Sequence, residues 1–308
     1  MTRPREIVRF AIVLLAVSAS GCEVQTSSAA PGEQSAQDGT RAERRPRFND
    51  EDYAAHIRAL REKLPEGDFH IVESRPFVVI GDESREAVER RAERTVNWAV
   101  THLHELYFPR EPNRILDVWL FKNEESYRKY TKEIFNDEPT TPFGYYSRRH
   151  RALIMNIGTG GGTLVHEIVH PFMEANFPQC PSWFNEGLAS LYEQSGERDG
   201  KIVGFTNWRL RGLQQTIERG RLRSLESLLQ TSTQEFYGEG SGTNYAQARY
   251  LCYYLQQHGL LQKFYHQFRE EAEDDPTGLK TLRSVLGTDD LNAFQEKWEA
   301  YTAELVFE

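Results

Sequence analysis

Three cysteines and three methionines in 308 residues exclude a scaffold built on many disulfides or a cluster site built on sulfur. Positive charge is also short, with 37 Lys and Arg against 46 Asp and Glu and a formal charge of -9. That balance argues against a nucleic-acid partner, because phosphate binding needs a concentrated basic face. No stretch holds 18 consecutive apolar residues, so none is long enough to span a bilayer as a helix. Large apolar side chains are nearly missing from residues 23–47, which lowers the overall hydrophobic content to 39%. Such a segment cannot bury enough surface to fold.

What the N-terminus does have is an export pattern. Arg3, Arg5 and Arg9 precede the apolar run Phe10 to Val17, and Ser18, Ala19, Ser20 and Gly21 lead to Cys22. Residues 1–21 are therefore expected to be a cleaved signal peptide, too short to remain as an anchor. The "ASGC" stretch resembles a bacterial lipoprotein signal, with Ala19 where leucine is usual. That resemblance implies lipidation of Cys22 and membrane contact through the lipid. The location expected is the bacterial cell envelope, or the periplasm or medium if Cys22 is unmodified. Residues 22–47 then form a flexible tether reaching roughly 25 to 30 Å, with Arg41, Arg44, Arg45 and Arg47 solvated.

Folded sequence is expected from Phe48. Helices are predicted at Asp52 to Lys63, Glu83 to Tyr107 and Glu124 to Phe135. Strands are predicted at Phe77 to Ile80, Ile115 to Phe121, Phe143 to Tyr146 and Leu153 to Ile157. After residue 158 the strand signal disappears. Helical periodicity then recurs at Thr163 to Ala175, Trp183 to Gln194, Asn207 to Arg219, Ser224 to Leu229, Tyr245 to His258, Leu260 to Ala272 and Leu291 to Glu304. The fold class expected is α+β: an α/β subdomain at 48–175 and a mostly helical subdomain at 176–308.

The chemistry is concentrated at "HEIVH", residues 166–170. Residues four apart share a helix face, so His166 and His170 can bind one Zn²⁺ while Glu167 beside them serves as general base. Chance gives one HExxH in a chain like this with a probability of roughly 1–2%, and the surroundings favour the site. Thr163 is an expected N-cap, and Leu164, Ile168 and Val169 supply an apolar face. Pro171 is expected to kink or end the helix. Downstream, "SWFNEGLASLYE" begins a second helix at Ser182, and a short connection can return Glu186 to the histidines as third ligand. Two His and one Glu leave a fourth position open, as catalysis requires. Glu193, about 10 Å further along that helix axis, is expected to lie away from the metal.

"HEIVH" followed by "WFNEGLA" resembles the gluzincin metallopeptidases, in particular the peptidase MA-like proteins of bacterial envelopes, over residues 70–305. The resemblance implies zinc ligands His166, His170 and Glu186, with Glu167 as base, one zinc ion per chain, and a peptide or protein substrate lying beside a cleft strand. It departs at Ser190, where gluzincins carry an acid that orients a histidine. Either another group stands behind the ligands or metal affinity is weaker.

An oxyanion-stabilising donor is expected at Tyr245, after the Gly-rich "GEGSGTN", with Tyr145 and Tyr146 as rivals. "GTGGGT" at 158–163 lacks the ending of a phosphate loop and reads as a mobile loop at the active site. Cys252 falls on the helix face of Tyr245, and Cys180 just before the Glu186 helix. A Cys180–Cys252 disulfide is therefore expected in an oxidising compartment, with two buried thiols as the alternative. The function expected is zinc-dependent hydrolysis of peptide bonds, by an endopeptidase. The alternatives are an envelope protein that binds zinc and holds peptides without cutting them, and a hydrolase of a non-peptide amide. The intact Glu167 favours catalysis.

Overall fold

The structure, a computed structural model, describes residues 47–307. The expected signal peptide, nearly all of the tether and Cys22 lie outside them. Helix α1 (Asp50–Arg61) opens on a capping box, with the Asn49 side chain accepting from Asp52 N–H and Asp52 accepting from Asn49 N–H. Strands β1 (His70–Ser74) and β2 (Phe77–Gly81) follow, then α2 (Arg85–Arg91) and α3 (Trp98–Leu106), joined through a π-helical stretch at Ala92–Asn97. Next come β3 (Leu116–Phe121), α4 (Glu124–Phe135), β4 (Gly144–Ser147) and β5 (Ala152–Asn156). Helices α5 (Gly162–Asn176) and α6 (Ser182–Leu191) precede a hairpin of β6 (Ser195–Arg198) and β7 (Lys201–Gly204). The remainder is helical: α7 (Arg209–Glu218), α8 (Leu225–Leu229), α9 (Thr233–Tyr237), α10 (Ser241–Gln257), α11 (Leu261–Glu270), α12 (Leu279–Leu286) and α13 (Leu291–Glu304). The expected α+β class holds.

The main sheet runs β1-β2-β3-β5-β4. Its centre is parallel, and β1 and β4 are antiparallel at the edges. Every residue of β2 and β5 is buried, because both faces of the sheet are covered. Tyr53, Trp119 and Tyr127 belong to the core on one face. The other face shares a single core with α5, α6 and α10 that extends to Trp298. The division expected at 175/176 thus marks a change of element content, and the packing continues through it.

Four local expectations change. Helix α5 runs on through Pro171 to Asn176, since buried Phe172 and Met173 hold its last turn against the loss of one hydrogen bond. Helix α6 ends at Leu191, three residues early, and α10 begins at Ser241, four residues early. Strands do recur after residue 158, as β6 and β7. Their tip is Asp199–Gly200, both with positive φ (52° and 72°), a two-residue hairpin turn that favours this pair. No helix among the described residues is long and apolar enough to cross a membrane.

Candidate metal centre

His166 and His170 stand on successive turns of α5, with ring centroids 5.0 Å apart. After the short connection 177–181, α6 packs on α5. Glu186 Oε2 then lies 3.2 Å from His166 Nε2 and 3.8 Å from His170 Nε2. Two ligands about 2.0–2.1 Å from a tetrahedral zinc stand roughly 3.3–3.4 Å apart, so these separations suit one ion. Gly187 lets the helices that frame Glu186 approach: a Cβ there would meet the Ala248 carbonyl oxygen and Cys252 Sγ, each at 3.0 Å.

The donor set fits zinc on a second ground. Glu186 Oε2 is buried without an aligned hydrogen bond and faces both imidazoles, so its charge needs a cation there, either a metal ion or a proton on His166. Its other oxygen accepts from Tyr237 Oη at 2.6 Å. Burial works to raise the Glu186 pKa, but His170, His166 and Tyr237 outweigh it and hold the carboxyl at about 2. Burial likewise opposes charge on His166, yet Glu186 and Glu193 overcome it and raise the imidazole well above its ordinary value.

Glu193 corrects an expectation. Because α6 stops at Leu191, the chain turns and places Glu193 Oε1 3.3 Å from His166 Nδ1, an ion-pair contact without hydrogen-bond alignment. Arg209 holds the same carboxylate through Nε and Nη2 at 3.0 and 2.8 Å. Burial opposes ionisation of Glu193, and His166 and Arg209 prevail, leaving its pKa at about 2. Glu193, three residues after Ser190, is thus the carboxylate beside His166 Nδ1. His170 Nδ1 faces Asn185 Oδ1 at 3.1 Å. The "GTGGGT" run forms a 3-10 turn and the start of α5. Gly162 there is required by packing, since a Cβ would overlap the Glu193 carbonyl oxygen.

Glu167 Oε2 accepts from Tyr146 N–H on edge strand β4 at 2.9 Å and lies 3.9 Å from His170 Nε2. Tyr245 interacts through its hydroxyl with Glu186 and lies in the field of Glu167, with its ring 6.2 Å from that of Tyr237. Tyr237, which the sequence did not single out, donates the short hydrogen bond to Glu186. It was legible only indirectly, at the end of a short helix whose capping box is Ser232 and Glu235. Tyr145 faces away and donates to Asp137 at 2.7 Å.

The expected Cys180–Cys252 disulfide is absent, and both residues are free thiols. Cys252 is fully buried against Gly187, while Cys180 Sγ turns to the Pro181 carbonyl, 3.6 Å away.

Residues 162–278 match the model of a family described as a protein of unknown function (DUF1570). The matched segment starts at the first residue of α5 and contains His166, Glu167, His170, Glu186 and Tyr237. No curated protein matches the chain.

Proposed function

We propose that the chain is a zinc-dependent peptidase of gluzincin type, with His166, His170 and Glu186 as ligands and Glu167 as general base. The observation that carries this reading is the carboxylate of Glu167, fixed by Tyr146 N–H beside a triad that suits one ion. A site that only stored zinc has no use for a base in that position. Bound zinc supplies a Lewis acid and lowers the pKa of a water ligand.

The chain's own residues do the rest. Tyr146 N–H holds the Glu167 carboxylate through Oε2 beside His170, where it can accept a proton from water. Tyr237 occupies Glu186 Oε1, which directs Oε2 at the histidines. Burial, with Glu186 next, pushes the Tyr245 hydroxyl well above its ordinary pKa, so it remains a proton donor for a developing oxyanion. Edge strand β4 offers a backbone edge for a peptide substrate at the groups other than Tyr146 N–H, which Glu167 takes up.

Glu167→Gln decides the reading. It is expected to retain zinc by metal analysis and to lose roughly 100- to 10,000-fold in peptide hydrolysis. Zinc lost with this substitution, or activity kept, refutes the assignment. Export and a lipid on Cys22 belong to the same proposal. Mass spectrometry of the membrane fraction tests them, and an unmodified Cys22 there removes the anchor.

A further inference from the structure

On α5, Glu167, Pro171, Glu174 and Ala175 follow at intervals that place them on one helical face. The face therefore runs from the base towards the C-terminal end of the helix, about 10 Å from Glu167 to Glu174. Beside it lies a cleft of about 210 Å³ whose floor includes Pro171, Glu174 and Ala175 and whose wall includes Tyr146. Tyr146 is also the residue whose N–H holds Glu167. The cleft thus shares Tyr146 with the candidate site and lies further along the same face of α5.

Its charge runs against that of the whole chain. Arg114, Arg148 and Arg151 line it, against the single carboxylate of Glu174. Arg148 Nε is 3.4 Å from Glu174 Oε2. Arg114 and Arg151 have no ion pair among the described residues. The C-terminal end of α5 carries partial negative charge, so an anion here must be held by the arginines. Arg114 and Arg151 also line a separate, wider groove of about 600 Å³ beside α1, together with Asp52 and Asp117. Arg151 holds this place at a backbone cost, with φ at +56°, a region that favours glycine.

We propose that this cleft is a substrate subsite for a carboxylate, carried by the peptide two or three residues from the bond that is cut. The spacing follows from the length of the face and the rise of about 3.3 Å per extended residue. The inference rests on the peptidase reading and names the substrate class for that site: acidic peptides. The carboxylate belongs either to an Asp or Glu side chain or to a chain terminus. The guanidinium groups are well exposed, 73% for the Arg148 side chain, so the preference is sensitive to salt.

Binding tests the subsite without requiring catalysis. Glu167→Gln protein with zinc added is titrated with fluorescent, end-blocked peptides that differ by one Glu, Gln or Lys moved along the sequence. The Glu peptide should bind about tenfold tighter than its Gln twin at one position, as expected for a charge-assisted pair. Arg148→Gln and Arg151→Gly, the latter compatible with the local φ, should each reduce that ratio several-fold, as should about 0.5 M salt. A preference confined to peptides with a free C-terminus keeps the subsite and assigns it the terminal carboxylate. Equal binding of Glu and Gln peptides at every position, or a ratio indifferent to both arginines, overturns the proposal. Selective binding with no cleavage of any peptide by the parent protein keeps the subsite and overturns the peptidase reading alone.

Discussion

His166 meets a carboxylate at each ring nitrogen, Glu186 at Nε2 and Glu193 at Nδ1. The first contact joins two of the proposed ligands, and the second orients the His166 ring. Glu193→Gln is therefore expected to lower zinc affinity about 10- to 100-fold while the fold survives, since Arg209 can still pair with the amide oxygen. Glu186→Ala should cost more, because a ligand itself is removed. Competition with a zinc chelator measures both, and parent-like affinity in the Glu193 variant discards the orienting role. The two tyrosines separate in the same manner. Tyr245→Phe is expected to lower kcat roughly 100- to 1000-fold with zinc content unchanged, the usual worth of an oxyanion donor. If instead Tyr237→Phe gives that loss and Tyr245→Phe is silent, the donor has been misassigned.

The elements that carry the site were legible where spacing sufficed. Four residues on a helix place His166 and His170 together whatever follows, and prolines 178 and 181 before Ser182 announce a short connection and a second helix. What the sequence hides is where a helix stops for tertiary reasons. Nothing local ends α6 at Leu191. There the fully buried Arg249 donates through Nε to the Ser190 carbonyl and through Nη2 to the Leu191 carbonyl, taking up acceptors that a helix end leaves open. That distant residue releases Glu193 to turn towards His166. Asp199–Gly200, by contrast, was a readable hairpin signal. Short, largely polar flanking strands obscured it. The crossing of α5 and residue 193 yields a prediction for one glycine. Gly162→Ala forces a Cβ into the Glu193 carbonyl oxygen, so it should destabilise the fold by about 1–3 kcal/mol and weaken zinc binding by displacing Glu193. Gly160, where a Cβ would meet nothing, is a control for distance from the crossing. Its own φ of +110° adds strain to any replacement. A Gly162→Ala protein with parent-like zinc affinity contradicts this coupling.

At the scale of the molecule, the site is a buried excess of negative charge set between a sheet and a helical bundle, and its protons couple folding to metal. Without metal, Glu186 and Glu193 are ionised in the fold, each with a pKa of about 2 against about 4.3 in an unfolded chain. A depressed carboxylate pKa contributes stability above the unfolded value and loses it as pH falls through the folded one. Metal-free protein should therefore weaken between about pH 4.3 and 2. His166 is raised, so its contribution is complete below about pH 6.5 and is lost as pH climbs through its folded pKa. Between those limits the proton on His166 balances the carboxylates. Zinc must displace that proton, because an imidazolium nitrogen cannot serve as a ligand. Binding near pH 7 should thus release about one proton from His166, and affinity should rise towards tenfold per pH unit while that proton remains in the free protein. Calorimetric titration of metal-free protein in buffers of different ionisation enthalpy counts the protons directly. The parent should release close to one more proton than His166→Ala, whose residual binding measures what the remaining groups give up. An equal count in both proteins means that His166 is neutral before metal arrives, and the electrostatic account of the site fails with it.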